Sequence, residues 1–200
     1  MTNRKRWNSD RIIYLDPNFV AEKYQSVSGE RPTTYLSTSQ GRKTDGPPHV
    51  FAAEALSVET RSFPNSITEM LGAISDELEK YPAFDPSGFR NYSGTETGWV
   101  EGSFTMGEWR ETKNYMTSDE VTTSGLMFEI KGAEHEYALL AQPQLFSANI
   151  GSLLTVPDAI RRYIGIPIRA LGRALYYVED ANRFVFTPHL IVEAQEATAH

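Results

Sequence analysis

Four arginines, Arg161, Arg162, Arg169 and Arg173, stand within thirteen residues of a chain whose formal net charge is −7, accompanied by Tyr163, Tyr176 and Tyr177. Guanidinium forks pair with carboxylate or phosphate oxygens, and aromatic faces stack on bases or on arginine itself. On an alternating strand Arg169 and Arg173 share a face with Leu171, Leu175 and Tyr177, all odd-numbered. Local positive charge in a net-acidic chain makes Arg161, Arg162, Arg169, Arg173 and Tyr177 the expected ligand-binding set. The competing use of these arginines is structural, because the chain carries 26 Asp and Glu residues with which they can form ion pairs.

A second pattern is Phe128-Glu-Ile-Lys-Gly132, with Asp119 and Glu120 upstream. Side chains alternate along a strand, so Glu129 and Lys131 point to one side and can meet one ion and one phosphate. The pattern resembles the metal-dependent nuclease family whose motif is an acidic residue followed by Asp/Glu-x-Lys. That resemblance covers about fifteen residues. It implies that Asp119 and Glu129 hold Mg²⁺ and that Lys131 orients the attacking water. An ordinary solvent-face pair explains the same residues, since Glu101, Glu108 and Glu136 fall on predicted strands nearby.

Other chemistries find less support. His49, His135, His189 and His200 form no His-x-His or His-x-x-x-His pair. No serine sits in a Gly-x-Ser-x-Gly elbow. The run Ser37-Thr-Ser-Gln-Gly-Arg-Lys-Thr44 lacks the first glycine of a phosphate loop. With no cysteine, disulfides, Cys-ligated zinc, iron–sulfur clusters and thiol catalysis are all removed. The pI near 5.2 argues against holding duplex DNA through the overall field. No apolar run approaches the ~20 residues of a membrane span, and Arg11-Ile-Ile-Tyr-Leu15 is too short for the apolar core of a secretory signal. The expectation is a soluble cytoplasmic protein without cofactor or metal. Its partner is a protein or an anionic small ligand, and homo-oligomerisation is compatible with the sequence.

The elements that must position these residues begin with β-prone Ile12-Ile-Tyr-Leu15. Asp16 follows as a helix cap with Pro17 in the first turn, then Phe19, Val20, Tyr24 and Val27 at helical spacing, and Gly29 as a stop. A carboxylate at a strand end can be catalytic, but capping accounts for Asp16. Residues 30–49, rich in hydroxyls, Gly and Pro, read as a long loop, and a helix is expected over about 50–58. The clearest helix carries the capping box Ser66 to Glu69 and an apolar stripe of Ile67, Met70, Leu71, Ile74, Leu78 and Tyr81.

From about residue 95 the pattern turns to strands. Val100, Phe104 and Met106 alternate on one face, with Trp99 and Trp109 on the other. A hairpin follows over 125–131 and 135–141, then two helices over 144–154 and 155–164. A last hairpin joins 166–178 to 184–192 across Glu179–Arg183. Sequential strands usually pair. The expected fold is a single α+β domain spanning 1–200, with 1–10 and 194–200 frayed. Its N-terminal strand and helices pack on a mainly antiparallel sheet or half-open barrel from the C-terminal half. The reading drawn is a non-enzymatic binding or assembly module acting through the Arg/Tyr segment; the alternative is a metal-dependent nuclease or phosphodiesterase.

Overall fold

The computed structural model describes residues 11–30, 33–38, 57–62, 65–90, 96–114, 120–161 and 163–194. Strand β1 is Ile12–Leu15 and helix α1 is Pro17–Ser28. Between them Asp16 Oδ1 accepts from the backbone N–H groups of Asn18 at 3.0 Å and Phe19 at 3.4 Å. Two orphan donors of the first turn are thereby satisfied, and Pro17 has none to lose. Gly29 ends the helix at φ 74°, a left-handed conformation costly to any residue with a Cβ.

Helix α2, Ile67–Leu78, opens with the expected reciprocal cap. The Ser66 N–H donates to Glu69 Oε2 at 2.8 Å, and the Glu69 N–H donates to Ser66 Oγ at 3.3 Å. Met70, Leu71, Ile74 and Leu78 are buried, and Ile67 and Tyr81 pack beside them.

Five strands then build a closed barrel: β4 (Thr97–Asn114), β5 (Glu120–Lys131), β6 (Glu136–Leu139), β7 (Ile166–Val178) and β8 (Arg183–Glu193). β4 pairs antiparallel with β5 and β7, β5 with β6, and β7 with β8. Closure comes from β8, which also takes β6 on its other side as a parallel partner. β6 covers Arg183–Phe186, and β1 covers Leu190–Val192 along the same edge. A half-open barrel was one expectation; this double use of β8 shuts it.

Strand alternation divides the apolar residues into two cores. Val100, Phe104, Met106, Phe128, Ile130, Ile168, Ala170, Ala174, Phe184 and Phe186 fill one, which is the barrel interior. Trp99, Leu171, Leu190 and Val192 face outward and are covered by Val20 and Tyr24 of α1 and the α2 stripe. Removing such area from water contributes roughly 25 cal/mol per Å².

Four local expectations are corrected. Thr33–Thr38 (β2), inside the expected 30–49 loop, pairs antiparallel with Ser57–Ser62 (β3), which includes Ser57 and Val58 of the expected 50–58 helix. Thr and Tyr suit a strand, and the partner lies too far along the chain for a local period to reveal. The remainder of both expected segments lies outside the described residues. The 144–154 helix shortens to α3, Ala148–Leu153, because Phe146 bridges Tyr14 and the Ser147 N–H donates to Ile13 O at 2.8 Å. Among the described residues of the 155–164 segment, the helical part is α4, Asp158–Arg161. The expected frays at 1–10 and 195–200 also fall outside the described residues, whereas Ala194 N donates to Pro167 O at 2.9 Å.

Candidate functional site

Arg169 lies on β7 directly opposite Glu101 of β4. Its guanidinium donates to both Glu79 oxygens, Nη1 to Oε1 at 3.3 Å and Nη2 to Oε2 at 3.2 Å. Nε stands 3.3 Å from Glu101 Oε1, and the group lies 4.4 Å above the Trp99 ring. Trp99 in turn donates its Nε1–H to Leu78 O at 3.0 Å, within the buried end of α2. Arg169 and Trp99 therefore fasten the last turn of α2 to the barrel wall. A planar fork that is bidentate on one side and stacked on another is a role lysine does not fill.

The other members of the set are elsewhere. Arg161 is buried, and its Nη1 donates to Leu154 O at 3.0 Å, closing the turn between α3 and α4. Arg173 is exposed, opposite Thr97 and Thr187. Arg162 lies outside the described residues. Tyr177 packs its ring 4.8 Å from Phe184 and donates its hydroxyl to Asn182 Oδ1 at 2.8 Å. It joins the interior cluster, so it does not share a face with Arg169 and Leu171 as odd numbering suggested. The register slips between Ala174 and Tyr176, and one extra residue reverses which side every later side chain takes.

Glu129 is buried, which corrects its reading as a solvent-face residue. Arg183 Nη1 pairs with Glu129 Oε1, and Nη2 donates to Glu136 Oε2 at 2.7 Å. One guanidinium thus bridges two carboxylates across β5, β6 and β8. Lys131 is exposed at the end of β5, opposite Ser103 and Glu136. Asp119 lies outside the described residues. Among the described residues no group of three His, Asp or Glu is placed to hold a metal ion.

A contact that sequence reasoning missed joins Asp16 to His189. The imidazole stacks on Phe19 with centroids 4.1 Å apart and planes 4° from parallel, and Nδ1 stands 3.6 Å from Asp16 Oδ2. The Asp16 N–H donates to His189 O at 2.9 Å. The Asp16 pKa is held below the usual carboxylate value, first by the His189 side chain and then by the Phe19 and Asn18 N–H groups, against the effect of burial. His189 is the extra residue of a bulge, for Pro188 opposes Gly172 while Leu190 opposes Leu171. Asp16 was legible as a cap; nothing local to either residue announces the other. An Asp beside a His supplies two of the residue types of an acyl-transfer triad, but at 3.6 Å Nδ1 makes no hydrogen bond to Asp16, and no hydroxyl hydrogen-bonds to His189 among the described residues.

A pocket of about 400 Å³ opens where residues 82–84 run along Trp99, lined by Phe84, Phe89, Asp85, Arg90, Glu96 and Gly98. Asp85 is occupied locally, accepting from the Ser87 N–H at 2.8 Å and the Ser87 hydroxyl at 2.6 Å. The rim carries both signs of charge and selects no ligand class. Among the described residues no helix is long and apolar enough to cross a membrane. No protein-family model, curated protein or solved structure matches the chain.

Proposed function

We propose that this protein is a non-enzymatic binding or assembly module that recognises a protein partner or an anionic ligand through its Arg/Tyr segment. The carrying observation is the exposure of apolar side chains at the start of that segment: Tyr163 is 80% exposed, and Ile160, just before the segment, is 59% exposed. Large apolar side chains left in water beside basic residues are what interface cores recruit. Arg173 and Tyr176, also exposed, extend the same segment along β7. Arg161 and Arg169 serve here as positioning residues, one closing the α3–α4 turn and the other fixing α2. The absence of cysteine fits a reducing compartment, and a cytoplasmic location is part of the proposal.

The test is photocrosslinking in the producing cell. A photoreactive phenylalanine replaces Tyr163, and Val27, 46% exposed on α1, is the control position. A discrete crosslinked species from position 163 alone, weakened by Arg173→Glu, is expected. Its absence from position 163, or equal crosslinking from both positions, overturns the protein-partner form. The ligand form is tested by titrating single-stranded RNA and inorganic polyphosphate at low and moderate salt. Binding that ignores salt, Arg162→Ala and Arg173→Ala overturns it.

A metal-dependent nuclease or phosphodiesterase using Asp119, Glu129 and Lys131 is the second reading. Arg183 weighs against it, because its guanidinium already holds the carboxylate that a metal would need. Cleavage of DNA or RNA that requires Mg²⁺ or Mn²⁺ and vanishes in Lys131→Ala would replace the binding reading.

A further inference from the structure

The sulfur of this chain is all methionine, five residues with no cysteine beside them. Met70 is 5% and Met106 2% exposed, each inside one of the two cores. Met1 and Met116 lie outside the described residues. Met127 is partly exposed on β5, opposite Gly107 of β4, and its Sδ accepts from Arg183 Nη1 at 4.0 Å. A thioether is a weak acceptor, so this is the poorest of the arginine's contacts.

The same guanidinium is short of oxygen. Nη1 and Nη2 serve Glu129 and Glu136, but five N–H groups in a fixed fork can engage more than two partners. Nε is buried with no hydrogen-bond partner among the described residues. Leaving a buried donor unpaired costs more than a typical hydrogen bond contributes. The tip of Met127 is also loosely held on its β4 side. A Cβ added to Gly107 would meet Met127 Cε at 3.8 Å and nothing else within 4 Å among the described residues, so the sulfur has room to turn as it gains an atom.

We propose that Met127 is an oxidation site whose sulfoxide is received by Arg183. The oxidant is a peroxide. A sulfur lone pair attacks one peroxide oxygen, and the S–O bond forms as the O–O bond breaks. Sulfur is oxidised by two electrons, and the second oxygen takes the proton of the first and leaves as water. The new oxygen reaches further toward the guanidinium than sulfur does, and it brings the contact into the ordinary hydrogen-bond range of about 2.7–3.2 Å. A sulfoxide formed in an apolar core disrupts packing. Here a charged donor with unused N–H groups faces it, so oxidation tightens the tie between β5 and β8. The site shares no residue with the Arg/Tyr segment and goes beyond the function proposed for it.

The test treats the folded protein with dilute hydrogen peroxide and maps the added oxygen by peptide mass spectrometry. Met127 should be oxidised before Met70 and Met106. The oxidised protein should then unfold about 2–4 °C above the untreated one, the shift that one good hydrogen bond gives in a chain of this size. Met127→Leu treated in the same way should show no rise, which controls for Met1 and Met116. Arg183→Lys should show none either, because its compact ammonium stays with Glu129. Met127→Gln carries an amide oxygen at similar reach and should unfold above Met127→Leu without any oxidant; this comparison keeps Arg183 and stands even if Arg183→Lys fails to fold. Oxidation of Met70 or Met106 ahead of Met127 overturns the proposal. So does a Tm that falls or stays level when Met127 is oxidised, a rise that persists in Met127→Leu or Arg183→Lys, or a Met127→Gln protein no more stable than Met127→Leu.

Discussion

Gly172 is where closure of the barrel is most exposed to a single atom. It stands opposite Pro188 beside the β8 bulge, and a methyl group added there would meet the Thr187 carbonyl oxygen and the Phe186 ring first. A Cβ at this position would lie 2.6 Å from Phe186 Cε1 and 2.7 Å from Cζ. Carbon–carbon contact settles near 3.5 Å, so the ring would have to retreat by about 0.9 Å. Phe186 is fully buried in the interior cluster, and a carbonyl engaged in a strand cannot swing aside. Overpacking of this kind costs about 1–3 kcal/mol, and a clash with backbone belongs at the upper end. Gly172→Ala should therefore lose about 3 kcal/mol, a fall in Tm of roughly 6–12 °C for a chain of this size. The matched control is Gly72→Ala on the exposed side of α2, where an added Cβ meets nothing within 4 Å. It should gain about 0.5–1 kcal/mol from helix propensity. Urea and thermal unfolding of the two variants measure both effects. If Gly172→Ala unfolds within about 0.5 kcal/mol of the parent, comparable to an ordinary surface change, the close β7–β8 packing that shuts the barrel is refuted.

Leu71→Ala should cost about 2–5 kcal/mol in urea unfolding, since Leu71 is buried between α2 and the barrel wall; an unchanged midpoint would contradict that packing. Glu129→Gln should destabilise by about 1–3 kcal/mol by removing a charged partner of Arg183, while Lys131→Ala should stay within about 0.5 kcal/mol of the parent; equal effects in denaturation would refute the asymmetry. Arg169→Lys keeps the charge but loses the fork on Glu79 and most of the stacking on Trp99, and about 1 kcal/mol should go with them, given how exposed the ion pairs are. A double-mutant cycle with Glu79→Gln measures the coupling. Asp16 has a folded-state pKa below the usual 3.8, so its charge stabilises the fold above that value and the benefit disappears as pH falls through the folded pKa. Asp16→Asn retains a capping oxygen and removes the charge; it should cost about 0.5–1 kcal/mol at neutral pH and nothing once the pH is well below 3.8. A difference from the parent that persists unchanged into acid would refute the assignment.

Short-range chemistry made much of this protein readable in advance. Asp16, Pro17 and Gly29 bracket α1, and Ser66 with Glu69 opens α2, because a cap is settled by hydrogen bonds among residues a few positions apart. The α2 stripe and the separation of Val100, Phe104 and Met106 from Trp99 follow from the periods of helix and strand. The β7–β8 hairpin was legible for the same reason, two β-prone runs meeting across a short polar turn. What escaped were pairings made at long separation: β2 with β3, the parallel contact of β6 with β8, Arg183 with Glu129, Arg169 with Glu79, and His189 with Asp16. Tyr177 shows how one such feature spreads, since a bulge in the β7–β8 ladder turned it from the expected arginine face to the interior. Local sequence determines which conformations each segment favours and which of its faces is apolar. The partner of each face is decided only when the whole chain closes, because the entropy lost in bringing distant residues together is recovered by packing that no segment can provide alone.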